Sequence, residues 1–146
     1  LDRVQDPGNV GTILRTADAV GASGVILLRG SADVYSSKVV RATMGAVFHV
    51  PFVLGVTPEE LIHFVERTSI ALLAAACDAE ARTHFAADLR RSALIVLGNE
   101  ANGVSEEILH AAEHIYIPMR GHAESLNVSA AATAILYEAF RQRLCV

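Results

Sequence analysis

IYIPMRGHAESLNVSAAATAILYEAF, residues 115–140, is the stretch on which the fold turns. Its apolar run Ile115-Tyr116-Ile117 reads as a strand that Pro118 stops, because proline cannot donate to a sheet ladder. The segment Arg120-Gly121-His122-Ala123-Glu124 carries too much charge for a core. Ser125 stands in the N-cap position of a helix predicted over residues 126–140. That helix is apolar on nearly every side, with Ala130, Ala131, Ala132, Ala134, Ile135, Leu136 and Ala139. A surface helix carries one apolar stripe, so this one is predicted to be enclosed, by the rest of the chain or by a second subunit. Asn127 and Ser129 are its polar exceptions, both in the first turn, where free N–H groups and the positive dipole end collect. Polar groups confined to the entrance of a buried helix predict a site there.

The whole chain, 146 residues and 52% hydrophobic, is long enough for one domain with a sizeable core. Its longest apolar run, Ile70 to Cys77, is far too short to span a bilayer. Asp2, Arg3, Gln5 and Asp6 at the amino end do not form a signal peptide. Cys77 and Cys145 make neither a disulfide framework nor a metal spacing, so a reducing cytoplasm is the expected compartment. The chain opens on Leu1 rather than methionine, and a piece of something longer is expected. Net charge is −4, with Lys38 the single lysine beside eleven arginines. That balance excludes a broad basic field for non-specific nucleic-acid binding. Arginine in place of lysine suits local, geometric phosphate contacts, although codon bias produces the same composition and carries the larger weight.

Strand and helix signals alternate along the chain. Val4 is the remnant of a strand, and Asp6-Pro7-Gly8-Asn9 reads as a turn. Ile13, Leu14, Ala17 and Val20 recur at helical spacing up to Gly21. A buried strand is predicted over 24–28, and a second helix from Ser36 or Ser37 to about Met44. Residues 47–54 read as extended, with Pro51 at an edge or a strand end. Thr57-Pro58-Glu59-Glu60 opens a helix to about Arg67. A buried strand is predicted over 70–76, a short helix over 85–91, a strand over 94–97 and a helix from Ser105-Glu106-Glu107. Six alternations predict an α/β fold, a parallel sheet of about six strands with helices on both faces. Sites in such sheets lie at the carboxyl ends of the strands. The polar loops 6–9, 98–103 and 118–125 all follow strands.

Several chemistries are excluded. No GxxxxGK phosphate loop exists, no GxGxxG follows the first strand, and no GxSxG elbow is present. The six histidines match no metal spacing; His110 and His114, four apart, read as a solvated pair on one helix face.

Three segments, in order, carry a resemblance: LDRVQDPGNVGTILRTADAVGA at 1–22, LIVLGNEANGVS at 94–105 and IPMRGHAESLNVSAAATAILYEA at 117–139. They resemble the three signature motifs of the SpoU (TrmH-like) class of SPOUT RNA methyltransferases, and the resemblance covers nearly the whole chain. It implies methyl transfer from S-adenosylmethionine to a ribose 2′-hydroxyl of tRNA or rRNA, and a SPOUT fold with a carboxyl-terminal trefoil knot. A homodimer through the last helix is implied too. No metal is implied, because a sulfonium is already activated and catalysis is then mainly alignment. An inactive member serving as an RNA-binding or assembly module is the alternative. An unrelated flavodoxin-like domain would not account for the apolar last helix.

By the same resemblance, Leu97, Gly98, Gly103, Ile117, Pro118, Met119 and Leu126 line the cofactor pocket. Glu100, Ser125 and Asn127 belong both to the pocket and, with Asn9, to a catalytic polar network. Each has a plainer reading: turn glycines for Gly98 and Gly103, a helix cap for Ser125, a turn residue for Asn9 and a solvated acid for Glu100. Arg15 matches the essential arginine that acts across the dimer. Its plain reading is a solvated charge on a snorkelling stem. A guanidinium stays protonated, so Arg15 is expected to grip a phosphate and stabilise a developing alkoxide rather than take a proton. The family usually carries an RNA-binding domain ahead of the first motif, and that domain lies outside these residues. Ala101 stands where glycine is common, with no expected consequence.

Overall fold

A computed structural model describes residues 1–76, 78 and 81–144. Cys77 and Cys145, read above as forming no pattern, lie outside the described residues. The elements run α1 (Pro7–Ala19), β1 (Val25–Leu28), α2 (Ser37–Ala42), a 3-10 helix (Ala46–Phe48), β2 (Phe52–Val56) and α3 (Pro58–Glu66). They continue β3 (Ala71–Ala75), β4 (Arg82–Thr83), β5 (Ala93–Val96), α4 (Glu106–Ala111), β6 (Glu113–Tyr116) and α5 (Val128–Leu144).

Every ladder between the named strands is parallel, but the strands fall into two ladders rather than one: β1-β2, and β4-β6-β3-β5. The amino-terminal residues close the gap. Leu28 N–H donates to Leu1 O and Asp2 N–H to Leu97 O, each at 2.9 Å, so segment 1–4 is bonded to both ladders. Side chains alternate across the strands as the pleat requires. Leu27, Leu73 and Leu97 enter one core with Val10, Ile13 and Leu14 of α1, Val39 of α2 and Ala132, Ile135 and Ala139 of α5. Leu28, Leu72, Ala74 and Val96 enter the other with Leu61 of α3 and Ile108 of α4. Helices therefore cover both faces.

Local chemistry explains most element starts. Asp6 is the N-cap of α1, its carboxylate accepting from Asn9 N–H at 2.8 Å, with Pro7 in the first turn. The DPGN segment is thus a helix start rather than a free turn. Thr57 and Glu60 form a capping box at α3, with bonds of 3.2 and 2.8 Å.

Two other expectations are corrected. Residues 46–48 are helical, not extended, because left-handed Met44 (φ 50) and Gly45 (φ 97) turn the chain there. No helix forms over 85–91. Side chains of α5 satisfy that backbone instead: Gln142 bonds Leu89 N–H (2.9 Å) and Ala87 O (3.1 Å), and Arg143 donates to Leu89 O (2.9 Å) and Arg91 O (3.0 Å). Of the two ways to enclose α5, its own chain supplies cover on one face, where Ala132, Ile135 and Ala139 are buried, and leaves Tyr137 48% and Leu144 65% exposed.

Candidate active site

Residues of the three polar segments meet: Glu100 in the loop after β5, Asn9 in the first turn of α1 and Asn127 at the entrance to α5. Glu100, in the loop after β5, accepts from the Asn9 side-chain amide at 3.0 Å and from the backbone N–H groups of Gln5 and Asp6 at 3.4 Å. Asn127, at the entrance to α5, donates from Nδ2 to Asn9 Oδ1 at 3.0 Å. Asn9 itself is buried in the first turn of α1. One hydrogen-bonded chain, Glu100–Asn9–Asn127, therefore joins the loops of all three segments.

The carboxylate sets the polarity of that chain. Partial burial works against the Glu100 charge. Bonds from the Asn9 amide and from the backbone N–H groups of Glu100, Gln5 and Asp6 outweigh it and hold the carboxyl below its usual range. An ionised carboxylate only accepts, so Asn9 must turn its NH₂ towards Glu100 and its Oδ1 towards Asn127. Asn127 then donates to Asn9 and keeps its own Oδ1 as an acceptor. That oxygen receives Ser129 N–H at 2.9 Å, Ser129 Oγ at 2.6 Å and Ala130 N–H at 3.4 Å. Asn127, not Ser125, is thus the cap of α5, which begins at Val128. Ser125 sits two residues too early to reach those N–H groups and is exposed in the preceding loop.

The glycines serve the loop as close-approach positions. A Cβ at Gly98 would lie 2.1 Å from the carbonyl carbon of Gly103, and Gly103 itself is left-handed at φ 69. Asn99, which the sequence reading passed over, organises the same loop. Its Oδ1 accepts from Ala101 N–H (2.9 Å) and Asn102 N–H (3.0 Å), while Nδ2 donates to Arg3 O (2.8 Å). An asparagine between glycine and glutamate in a tight turn was the available signal. Thr16 and Thr133 were also missed; their hydroxyls lie 3.2 Å apart and tie α1 to α5.

Beside this network runs segment 117–126. Among the described residues, its backbone makes no hydrogen bond. Leu97 is buried, and half-buried Ile117 packs against the same core. Pro118 is exposed, Met119 is 38% exposed and Leu126 43%. Arg15 is exposed on α1 and makes no hydrogen bond or ion pair among the described residues, so none of them bonds it to the Asn9–Asn127 chain. His110 and His114 do not share a helix face. His110 is exposed on α4, whereas His114 is on β6, with Nδ1 on Asp78 and Nε2 2.8 Å from Leu109 O. Among the described residues no cluster of three or more His, Cys, Asp or Glu is placed to hold a metal.

The chain is similar to several known proteins. It is 41% identical over 154 residues to a 23S rRNA (uridine(2479)-2′-O)-methyltransferase of Streptomyces viridochromogenes, covering 99% of this chain and 52% of that protein. It is 38% identical over 138 residues to a 23S rRNA (guanosine(2553)-2′-O)-methyltransferase of Bacillus subtilis, covering 94% and 55%. Its fold matches the crystal structure of the SpoU methyltransferase AviRb from Streptomyces viridochromogenes in complex with AdoMet. The TM-score is 0.89 at 41% identity, over 98% of this chain and 56% of that one. The chain thus spans about half the length of the relatives it matches. The SpoU rRNA methylase family matches residues 1–137, nearly the whole chain and all three loops, and the chain belongs to that family.

Proposed function

We propose that this domain binds S-adenosylmethionine and transfers its methyl group to a ribose 2′-hydroxyl of RNA, with 23S rRNA the substrate favoured by its relatives' activities. The Glu100–Asn9–Asn127 chain beside the unbonded segment 117–126 is the observation that carries this reading.

The residues present fit the cofactor. Segment 117–126 offers backbone donors and acceptors with no partner among the described residues, and Met119 and Leu126 offer exposed apolar surface. An adenine needs both, a flat apolar contact and hydrogen bonds at its edge. Leu97, Gly98, Gly103, Ile117 and Pro118 complete the proposed pocket, with Glu100, Ser125 and Asn127 at its polar end. S-adenosylmethionine supplies an electrophilic methyl on sulfur; the protein aligns the hydroxyl and assists its proton. Glu100 acts by orienting Asn9 and Asn127. Arg15 grips an RNA phosphate and stabilises the developing alkoxide.

The knot and the dimer belong to the same proposal. Strands β3 and β4 flank β6, which enters between them later in the chain, and this supports a threaded carboxyl-terminal segment. The exposed stripe of α5, Ala130, Tyr137 and Leu144 with half-buried Ala134, supports a homodimer across this helix. RNA selection is assigned to residues outside 1–146, since the relatives are about twice as long as the matched region. Among the described residues no helix is long and apolar enough to cross a membrane. The proposed compartment is the cytoplasm, where ribosomal RNA lies.

Titration calorimetry with S-adenosylmethionine, beside a flavin control, tests the cofactor. Labelled-methyl transfer to total rRNA, followed by alkaline hydrolysis, tests the chemistry. A methylated 2′-oxygen cannot attack its own phosphodiester, so the label should persist in alkali-resistant dinucleotides. Label released in mononucleotides would point to base methylation instead.

A further inference from the structure

The turn between α2 and the 3-10 helix presents two large apolar side chains to solvent, Phe48 at 83% exposure and Met44 at 75%. Its backbone is held in place from below. Thr43 is fully buried with Oγ1 donating to Val40 O at 2.7 Å, and Ala46 is 3% exposed. Met44 keeps a left-handed conformation (φ 50) that a residue with a Cβ disfavours. A strained, anchored turn that exposes a methionine and a phenylalanine is a platform left uncovered by the described residues.

Its surroundings are cationic. Gly11 of α1 packs so closely on α2 that a Cβ there would lie 2.4 Å from Ala42 Cβ. Further along the same face of α1, Asp18 reaches His49 Nδ1 at 3.4 Å. Exposed Arg15 stands between these contacts, and Lys38 and Arg41 are exposed on α2. Asn9 lies just before Gly11, so the platform flanks the α1 entrance of the active site.

We propose that Phe48 and Met44 form a stacking platform for an unpaired nucleobase of the RNA, with Arg15 and Arg41 holding the adjoining phosphates. The inference rests on the RNA methyltransferase reading and gives its substrate a docking surface. Unstacked bases are recognised by aromatic faces and arginine, in a sequence-tolerant way. A second copy of the chain is the competing occupant, and charge argues against it. A two-fold contact centred on this patch would gather Arg15, Lys38 and Arg41 of both copies into one interface, while the nearby Asp18 is already turned to His49. A polyanion meets the same patch with complementary charge.

The test titrates the protein with a short single-stranded oligoadenylate and with an abasic strand of equal length, monitoring molar mass alongside. Phe48→Ala is expected to weaken oligoadenylate binding about tenfold while the abasic strand binds as before, and Phe48→Trp to restore the base-dependent part. Unchanged affinity for Phe48→Ala, an equal loss on the abasic strand, or a tryptophan as weak as the alanine would each overturn the platform. A fall in molar mass for Phe48→Ala would also overturn it, assigning the patch to contacts between copies. Failure of the methyltransferase reading would show separately, as no heat with S-adenosylmethionine in the unaltered protein.

Discussion

Asn127 Nδ2 donates to Asn9 Oδ1 at 3.0 Å, across 118 positions of sequence, so the first turns of α5 and α1 share one polar chain that ends on Glu100. Asn127 therefore has two duties, a helix cap through Oδ1 and a bridge through Nδ2. They are separable by substitution. Asn127→Ala should cost about 1 kcal/mol of stability through the lost cap and should also release Asn9, weakening S-adenosylmethionine binding. Asn127→Asp keeps an acceptor for the cap but loses the donor, so urea unfolding should stay near wild type while cofactor affinity falls. Wild-type affinity in the aspartate variant would show that the bridge does not shape the pocket.

Much of this site was legible before the structure because motif order and polar residue type both survive in sequence. Asn9, Glu100 and Asn127 stand in polar segments at a turn, a loop and a helix entrance, and Arg15 follows Ile13-Leu14 within the first of the three motifs. What was not legible depended on long-range partners. Ser125 reads as a cap by local pattern, yet Asn127 wins because its side chain reaches Ser129 and Ala130 N–H. Residues 85–91 look helical by composition, but Gln142 and Arg143 satisfy their backbone from fifty-odd residues away. The division of the strands into two ladders joined by residues 1–4 has no local signature at all.

The Gln142 contact gives a pH dependence. Bonds from Arg141 and Gln142 hold the Glu138 carboxyl at about 2, below the 4.5 of a free glutamate. A depressed carboxylate contributes stability that is fully present above pH 4.5 and lost as pH falls through about 2. Acid unfolding followed by circular dichroism should therefore show a Glu138→Gln variant converging on wild type as pH drops through that window, with its largest deficit above it. A deficit independent of pH would mean that the charge contributes nothing.

Assembly is the next test. The exposed Tyr137 and Leu144 stripe on α5 predicts a homodimer, twice the 15.5 kDa of one chain, by light scattering at micromolar concentration. Tyr137→Glu should place a charge in that contact and shift the mass towards the monomer. A monomeric wild-type protein would leave the stripe to another partner.

Arg15 separates binding from catalysis. It is exposed and makes no hydrogen bond or ion pair among the described residues, so Arg15→Ala should change stability by no more than about 0.5 kcal/mol. It also lies two turns along α1 from Asn9, on the solvent side, so S-adenosylmethionine affinity should be nearly unchanged. Methyl transfer should nevertheless fall about 100- to 1000-fold, the cost of removing one donor to a developing oxyanion. Arg15→Lys should recover little of this, since an ammonium keeps the charge but not the planar fork that grips phosphate. The comparison needs an RNA that the unaltered enzyme methylates, in whatever length of chain supports turnover. Wild-type turnover in Arg15→Ala on that RNA would remove the arginine from the mechanism.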